Sequence, residues 1–488
     1  MTRQASSPLT SSGIWYAWRQ LFSRAGVPTT DDSNFANKLG VLARYGSHTW
    51  GDASTDCCIE VLPCSAQAWQ LLLTTPPGHL DWLPTLSILP GCLTPLPKDQ
   101  VPILFWGEAA QGNDKPFAER VSKDTVLFYV DIIATTFFML SRWEEVIVPD
   151  RDEHDRFPAT ASVAYKQGFL DRPIVDEYAL ILREWVKVLL PGWEPKPRMF
   201  SIKLSHDIDF VQRIPGALAT IRRAGGDVLK RRSLAQVGRT LWLGINDAAS
   251  AVLVPEQNSY LRSIYFLAEL SHKYGLESTF YFLVSHPGDP FSDTGCNPEL
   301  PWVKQCMEDL QQMGFEVGLH PSYDTLQNPE MLAAEKATLD KVLGHACRGG
   351  RQHFLRFRAP DTWRHWEQVG LTYDSTITYA DHEGFRCGTC HPFRPFDVVQ
   401  DRELDLWEYP LIVMDGTLHD YRGLTPEQGE ARILELAQRC KQVEGTFTLL
   451  WHNTSLEGRW QPWAVVYRRV LPHLAAMQTT ESKRIEIT

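Results

Sequence analysis

Several absences narrow the class of this 488-residue chain before any motif is read. No apolar run is long enough to cross a bilayer. The most hydrophobic, 126–140, is interrupted by Asp131 and falls short of the ~20 residues a membrane helix requires. Met1 to Ser12 is polar and lacks the apolar core of a secretory signal. There is no internal repeat and no low-complexity tract. An excess of positive charge is missing too: the net charge of −11 argues against a general nucleic-acid binder. The ten cysteines are scattered along a long chain and form no dense disulfide framework, so a reducing cytoplasm is the expected location.

What is present is a globular composition, 43% hydrophobic and 22% charged, in a chain long enough for two or three domains with sizeable cores. The seventeen tryptophans read first as core filling and second as faces for sugar rings. Three prolines and a glycine between Pro191 and Arg198 disfavour both helix and central strand, which predicts a linker. The expected division is therefore a smaller α/β domain over 1–195 and a second domain over 199–488, the first being the accessory domain in the resemblance given below. In the latter, strand-like runs (Met199–Ser205, Ser278–Val284, Glu316–Leu319, His353–Phe357, Leu371–Ile377, Thr446–Trp451) alternate with helical patterns (Ser259–Tyr274, Trp302–Met313, Pro426–Val443). That alternation predicts an α/β fold with a parallel sheet or a (β/α) barrel, whose reactive groups sit at the C-terminal strand ends. A basic stretch at about 213–258 reads as a solvated helical insertion, with contact to an anionic substrate or a membrane surface as the sharper alternative.

The chemistry concentrates at predicted strand ends. Asp207 and Asp209 lie two apart on a strand and so share a face, while Leu204 and Ile202 take the packing parity. Two such carboxylates repel unless a cation or a shared proton compensates them. Later strand-like runs end in His320 with Asp324 four residues on, in Arg358-Ala359-Pro360, and in Trp451-His452-Asn453. The stretch 371–391 carries Arg386, His391 and the pair Cys387 and Cys390. With no second pair to complete a zinc site, these thiols read as incidental members of a substrate-lining loop.

In this order, from about Met199 onward, the chain resembles the polysaccharide deacetylase superfamily, the family 4 carbohydrate esterases and their relatives. The resemblance implies a distorted (β/α) barrel and a divalent metal, with zinc the expected ion. It further implies Asp207 as catalytic base, Asp209 and His320 as metal ligands, Arg358 as the residue orienting the base, and His452 as general acid. Two departures accompany it. Ile208 separates the two aspartates, and Asp324 occupies the place of a second histidine, either as a ligand or facing solvent while another group or water completes the shell. Arg386, His391, Trp451 and Asn453 are the expected substrate contacts.

The pieces Val101–Trp106, Phe137–Glu145 and Gly168–Val175 resemble a domain that accompanies bacterial surface-polysaccharide deacetylases. There Arg142, Glu144 and Glu145 read as a surface or interdomain salt-bridge cluster. The expected function is a cytoplasmic, metal-dependent hydrolase that removes an acetyl or formyl group from an amino sugar, nucleotide-linked, lipid-linked or polymeric. Peripheral membrane contact is allowed, and no nucleic acid is expected as partner. Hydrolysis of a non-sugar amide, or glycan binding without turnover, stands as the alternative.

Overall fold

The computed structural model describes residues 9–27, 35–52, 54–85, 88, 99–110, 115–212, 258–284 and 295–485. The basic stretch expected as an insertion lies outside these, apart from Asn258 at its end. No helix among the described residues is long and apolar enough to cross a membrane.

The first part of the chain builds a mixed five-stranded sheet from β1 (Leu42–Tyr45), β2 (His48–Trp50), β3 (Cys58–Val61), β4 (Ala118–Ser122) and β5 (Thr125–Phe128), in the order β2-β1-β3-β5-β4. Around it pack α1 (Ser11–Arg24), α2 (Ile132–Leu140) and α3 (Ile174–Leu189). The aspartate that interrupts the apolar run is the N-cap of α2. Asp131 accepts hydrogen bonds from Ala134 N at 2.8 Å, Cys64 N at 2.7 Å and Tyr45 Oη at 2.8 Å, so a buried carboxylate starts a helix whose every residue is enclosed.

The second part is an all-parallel eight-stranded sheet curled into part of a barrel. Its strands are β6 (Ser201–Ile208), β7 (Glu277–Leu283), β8 (Glu316–His320), β9 (Gly349–Gly350), β10 (Tyr373–Asp374), β11 (Trp407–Glu408), β12 (Val413–Met414) and β13 (Thr446–Leu450), in the order β11-β10-β9-β8-β7-β6-β13-β12. Helices α4 (Ser259–Tyr274), α5 (Pro301–Gln312), α6 (Pro329–Leu343), α7 (Pro426–Gln442) and α8 (Gln461–Ile485) alternate with the longer strands.

One expected strand is a turn instead. His353–Leu355 forms a 3₁₀ turn in which Phe354 and Leu355 adopt φ of 58° and 53°, a left-handed backbone that cannot continue a sheet. The ladder position belongs to Gly349–Gly350. A Cβ on Gly350 would stand 1.7 Å from Leu319 O, so β8 and β9 approach too closely for any side chain.

A single apolar cluster runs through both parts, from Ile14 and Trp18 on α1 to Leu474 on α8. Beside it lies a buried ion network. Arg386 donates to both oxygens of Glu145 (2.9 and 2.6 Å), and Arg142 donates to Glu145 at 2.8 Å, Glu144 at 2.6 Å and Tyr379 Oη at 3.1 Å. Burial alone would raise the Glu145 carboxyl, but Arg386 and Arg142 outweigh it and hold it at about 2. The cluster expected at a surface or a domain boundary is thus enclosed, and it joins the helix residues Glu144 and Glu145 of the first part to Arg386 and Tyr379 of the second. Arg386→Ala leaves the two buried carboxylates Glu144 and Glu145 to share Arg142 alone, and should cost about 3–5 kcal/mol in urea unfolding.

Candidate active site

Six strands bring polar side chains to their C-terminal ends: Asp207 and Asp209 on and just after β6, His320 on β8, Arg351 and His353 after β9, Asp374 on β10, Asp415 after β12 and His452 after β13. Asp209 is the hub. His320 Nε2 lies 3.3 Å from its Oδ1, His353 Nε2 3.9 Å from the same atom, and His452 Nε2 4.0 Å from Oδ2. Asp207 is 2% exposed, with Oδ2 3.8 Å from His320 Nε2 and Oδ1 accepting from Arg351 Nη1 at 2.9 Å.

The imidazoles are fixed from behind. His320 Nδ1 pairs with Arg351 O, and His452 Nδ1 donates to Asp415 Oδ1 at 2.7 Å, so each ring turns Nε2 toward Asp209. Arg351 is equally constrained: fully buried, it donates to Ser375 O at 2.8 Å and Ser375 Oγ at 3.0 Å and lies over the Tyr281 ring.

The electrostatics follow from this packing. Burial would raise the Asp209 carboxyl, but the nearby His320 ring and the charges of His452 and His353 hold it below the usual carboxylate range. Burial works against a charged His320, yet Asp207 and Asp209 raise its pKa. In His452 the same opposition is resolved by Asp415, which lifts the imidazole to about 10. His206, on the opposite strand parity, donates from Nδ1 to Trp451 O at 2.8 Å and is pushed down to about 4 by burial, which fits a neutral packing residue.

The donor set fits a divalent cation. Among the described residues, one group of three, Asp209, His320 and His353, brings its ligand atoms within 4.8 Å of one another. Asp209 Oδ1 is buried between two imidazole nitrogens and makes no hydrogen bond. Two imidazole nitrogens and one carboxylate oxygen form a donor set that suits zinc and its neighbours.

Asp324, expected as the third ligand, stands outside this group, on the turn Tyr323–Gln327. Arg358, expected on the base, pairs with Asp155 at 2.6 and 2.8 Å, and the guanidinium on Asp207 belongs to Arg351. The four expected substrate contacts are buried. Trp451 is enclosed by Tyr467 and Trp463, and Asn453 donates to Phe210 O at 2.9 Å. Arg386 is held by Glu145, and His391 Nε2 faces Val443 O at 2.9 Å. Side chains enclosed in this way do not line a cleft. The loop of Cys387 and Cys390 is likewise internal, with Thr389 Oγ1 and Cys390 N donating to Asp176 on α3 at 2.6 and 2.9 Å.

Sequence reasoning passed over Arg351, His353 and Asp415. Asp415 carried an available signal, since it ends the apolar run Leu411-Ile412-Val413-Met414. Arg351 and His353 follow a strand made of two glycines, where alternation of side chains has nothing to register.

A second carboxyl pair lies behind Arg351. Asp374 and Glu408 are register partners on β10 and β11, and both are fully buried. Asp374 Oδ2 finds no donor unless a proton sits on the pair. Burial raises Asp374 to about 6, and burial together with Asp374 raises Glu408 further. Folded protein therefore holds more protons than unfolded protein between about pH 4 and 6, and stability falls as pH rises through that window. In Glu408→Gln the amide can donate to Asp374 Oδ2. Unfolding free energies from urea titrations across pH 4–6.5 should lose a pH-dependent fall on the order of 2–3 kcal/mol.

Residues 79–191 match DUF7033, a family of unknown function. No curated protein matches the chain. Three solved structures similar to it are a protein classed as a polysaccharide deacetylase from Mycobacterium smegmatis, another so classed from Pseudomonas aeruginosa PAO1, and a family 4 carbohydrate esterase from Streptomyces lividans in complex with acetate. The first is 16% identical over 59% of this chain and 87% of its own, with a TM-score of 0.37. The second is 14% identical over 56% and 84%, at 0.35, and the third 11% identical over 46% and 82%, at 0.26.

Proposed function

We propose that the chain is a metal-dependent hydrolase of the polysaccharide deacetylase type, removing an N-acyl group, acetyl or formyl, from an amino sugar. The observation that carries this reading is the convergence of Asp207, Asp209, His320, His353 and His452 at the C-terminal ends of one parallel sheet, with Asp207 and His320 held from behind by Arg351 and His452 by Asp415. In this reading Asp209, His320 and His353 hold the ion, zinc being the first expectation, and residues 79–191 belong to an accessory domain of such enzymes. A cytoplasmic location and a nucleotide- or lipid-linked sugar complete it.

A divalent ion bound there supplies Lewis acidity toward an amide carbonyl and toward water. Asp207 accepts the proton of the attacking water, its carboxylate oriented by Arg351. Proton donation to the leaving nitrogen falls to His452, which Asp415 keeps charged at neutral pH. That donation matters because an amide anion is too basic to depart. Ile208, between the two aspartates, separates the roles: one carboxylate points at the guanidinium, the other at the histidines.

Metal analysis of the purified chain, joined to acetate and formate release from N-acetyl and N-formyl hexosamines, tests the proposal. Release that persists in Asp207→Asn removes that residue from the base role. A chain that holds no divalent ion and releases neither acid ends the reading.

A further inference from the structure

The turn that presents His353 is strained, and it is tied to a segment far away in sequence. Phe354 and Leu355 both sit in the left-handed region, a conformation unfavourable for non-glycine residues and stable only where the surroundings impose it. Here the surroundings are residues 152–156. Arg156, itself 7% exposed, donates from Nη1 to Phe354 O at 2.9 Å and from Nη2 to Tyr421 Oη at 3.2 Å. Its aim is fixed by Asp152, which accepts from Arg156 Nε at 2.7 Å and Arg156 N at 2.9 Å. In return Arg356, on the barrel side, donates from Nε to His154 O at 2.9 Å and to Tyr323 O. The His154 ring lies 4.8 Å from that of Phe354, which in turn lies 4.6 Å from His353.

We infer that residues 152–156 hold the turn at Phe354–Leu355 closed and so set the position of the His353 imidazole, which makes Arg156 a positioning residue for the metal site. The inference rests on the reading in which His353 is a ligand. It gives a task to part of the stretch that matches a family of unknown function, because 152–156 lies inside 79–191. The physical logic is that of an outer layer around a ligand: a group that never touches the ion fixes the group that does. Loss of the Arg156 guanidinium leaves Phe354 O without its donor, and the turn can relax toward ordinary backbone angles, carrying the ring with it.

The test is titration of the metal-free full-length chain with Co2+, read by affinity and by visible absorption, alongside far-ultraviolet circular dichroism for folding. Arg156→Gln should bind Co2+ about 10–100-fold more weakly, with a changed absorption envelope, and Arg156→Lys should recover part of the loss. His154→Ala, which keeps both guanidinium ties, should lose less; should Arg156→Gln not fold, this variant decides, and unaltered binding in it overturns the inference. Folded Arg156→Gln with unsubstituted affinity and spectrum overturns the inference while leaving the metal reading intact, provided His353→Ala binds weakly. Equal binding by His353→Ala and the unsubstituted chain removes His353 as a ligand, and absence of Co2+ binding altogether removes the metal reading; either result takes the inference with it.

Discussion

His353→Ala should lose divalent-metal affinity by ~100-fold or more and, with it, acyl release. The expectation follows from the small number of protein ligands. Asp209, His320 and His353 are the one group of three whose ligand atoms converge among the described residues, and catalytic zinc sites keep three protein ligands. Without His353, Asp209 Oδ1 faces a single imidazole nitrogen, the one 3.3 Å away on His320. Metal content after dialysis and a Co2+ titration measure the loss directly. Asp324→Ala is the informative companion, because it should leave both quantities unchanged. A fall in Asp324→Ala equal to that in His353→Ala would return the third ligand to the position first expected from sequence.

Arg351→Leu should have two separable effects. The guanidinium is fully buried against a carboxylate that is 2% exposed, at 2.9 Å. Removing one member of such a pair leaves the other charge uncompensated, so unfolding free energy should fall by about 3–5 kcal/mol. Acyl release should fall further than folding explains, by ~10²–10⁴-fold in kcat, the range expected when general-base catalysis is lost. Measuring kcat at a temperature where circular dichroism shows the variant folded separates the two. Arg358→Leu provides the contrast. Its side chain is 43% exposed and its partner is Asp155, so it should cost no more than ~1 kcal/mol and little turnover. If Arg358→Leu abolishes turnover and Arg351→Leu does not, the roles assigned to the two arginines are reversed.

Those two arginines also show where sequence pattern carries information and where it stops. Elements with strong end signals were legible almost to the residue. The helix over Ser259–Tyr274 starts at Asn258, whose side chain accepts from Tyr260 N and Leu261 N, and ends at Gly275 with φ 62°. The helix from Pro426 is fixed by a reciprocal capping box between Thr425 and Gln428. The strand bearing Asp207 and Asp209 was legible for a similar reason, since apolar residues alternate up to the polar end. By contrast, β9 consists of Gly349 and Gly350 because neighbouring backbone fills the space a Cβ needs, so the constraint that fixes it also erases its pattern. Arg351 and His353, anchored to that strand, had no alternation to register, and the places expected for them fell to Arg358 and Asp324, which the family resemblance supplied. Asp209, His320 and His452 escaped this because their strands have side chains to count.

The apolar cluster that passes from Ile14 to Leu474 without a break has a consequence for how such a chain can vary over time. Proteins joined by a solvated hinge can trade their halves like cassettes, each half bringing a finished interior. Here Arg386 reaches Glu145, Thr389 reaches Asp176 and Arg156 reaches Phe354, so each half finishes the other's interior. A fragment starting near residue 199 would retain Asp207, Asp209, His320, His353 and His452, yet it would expose walls shaped to be covered. The two halves are therefore expected to change in concert, with a substitution on one side answered on the other, and to melt as one unit.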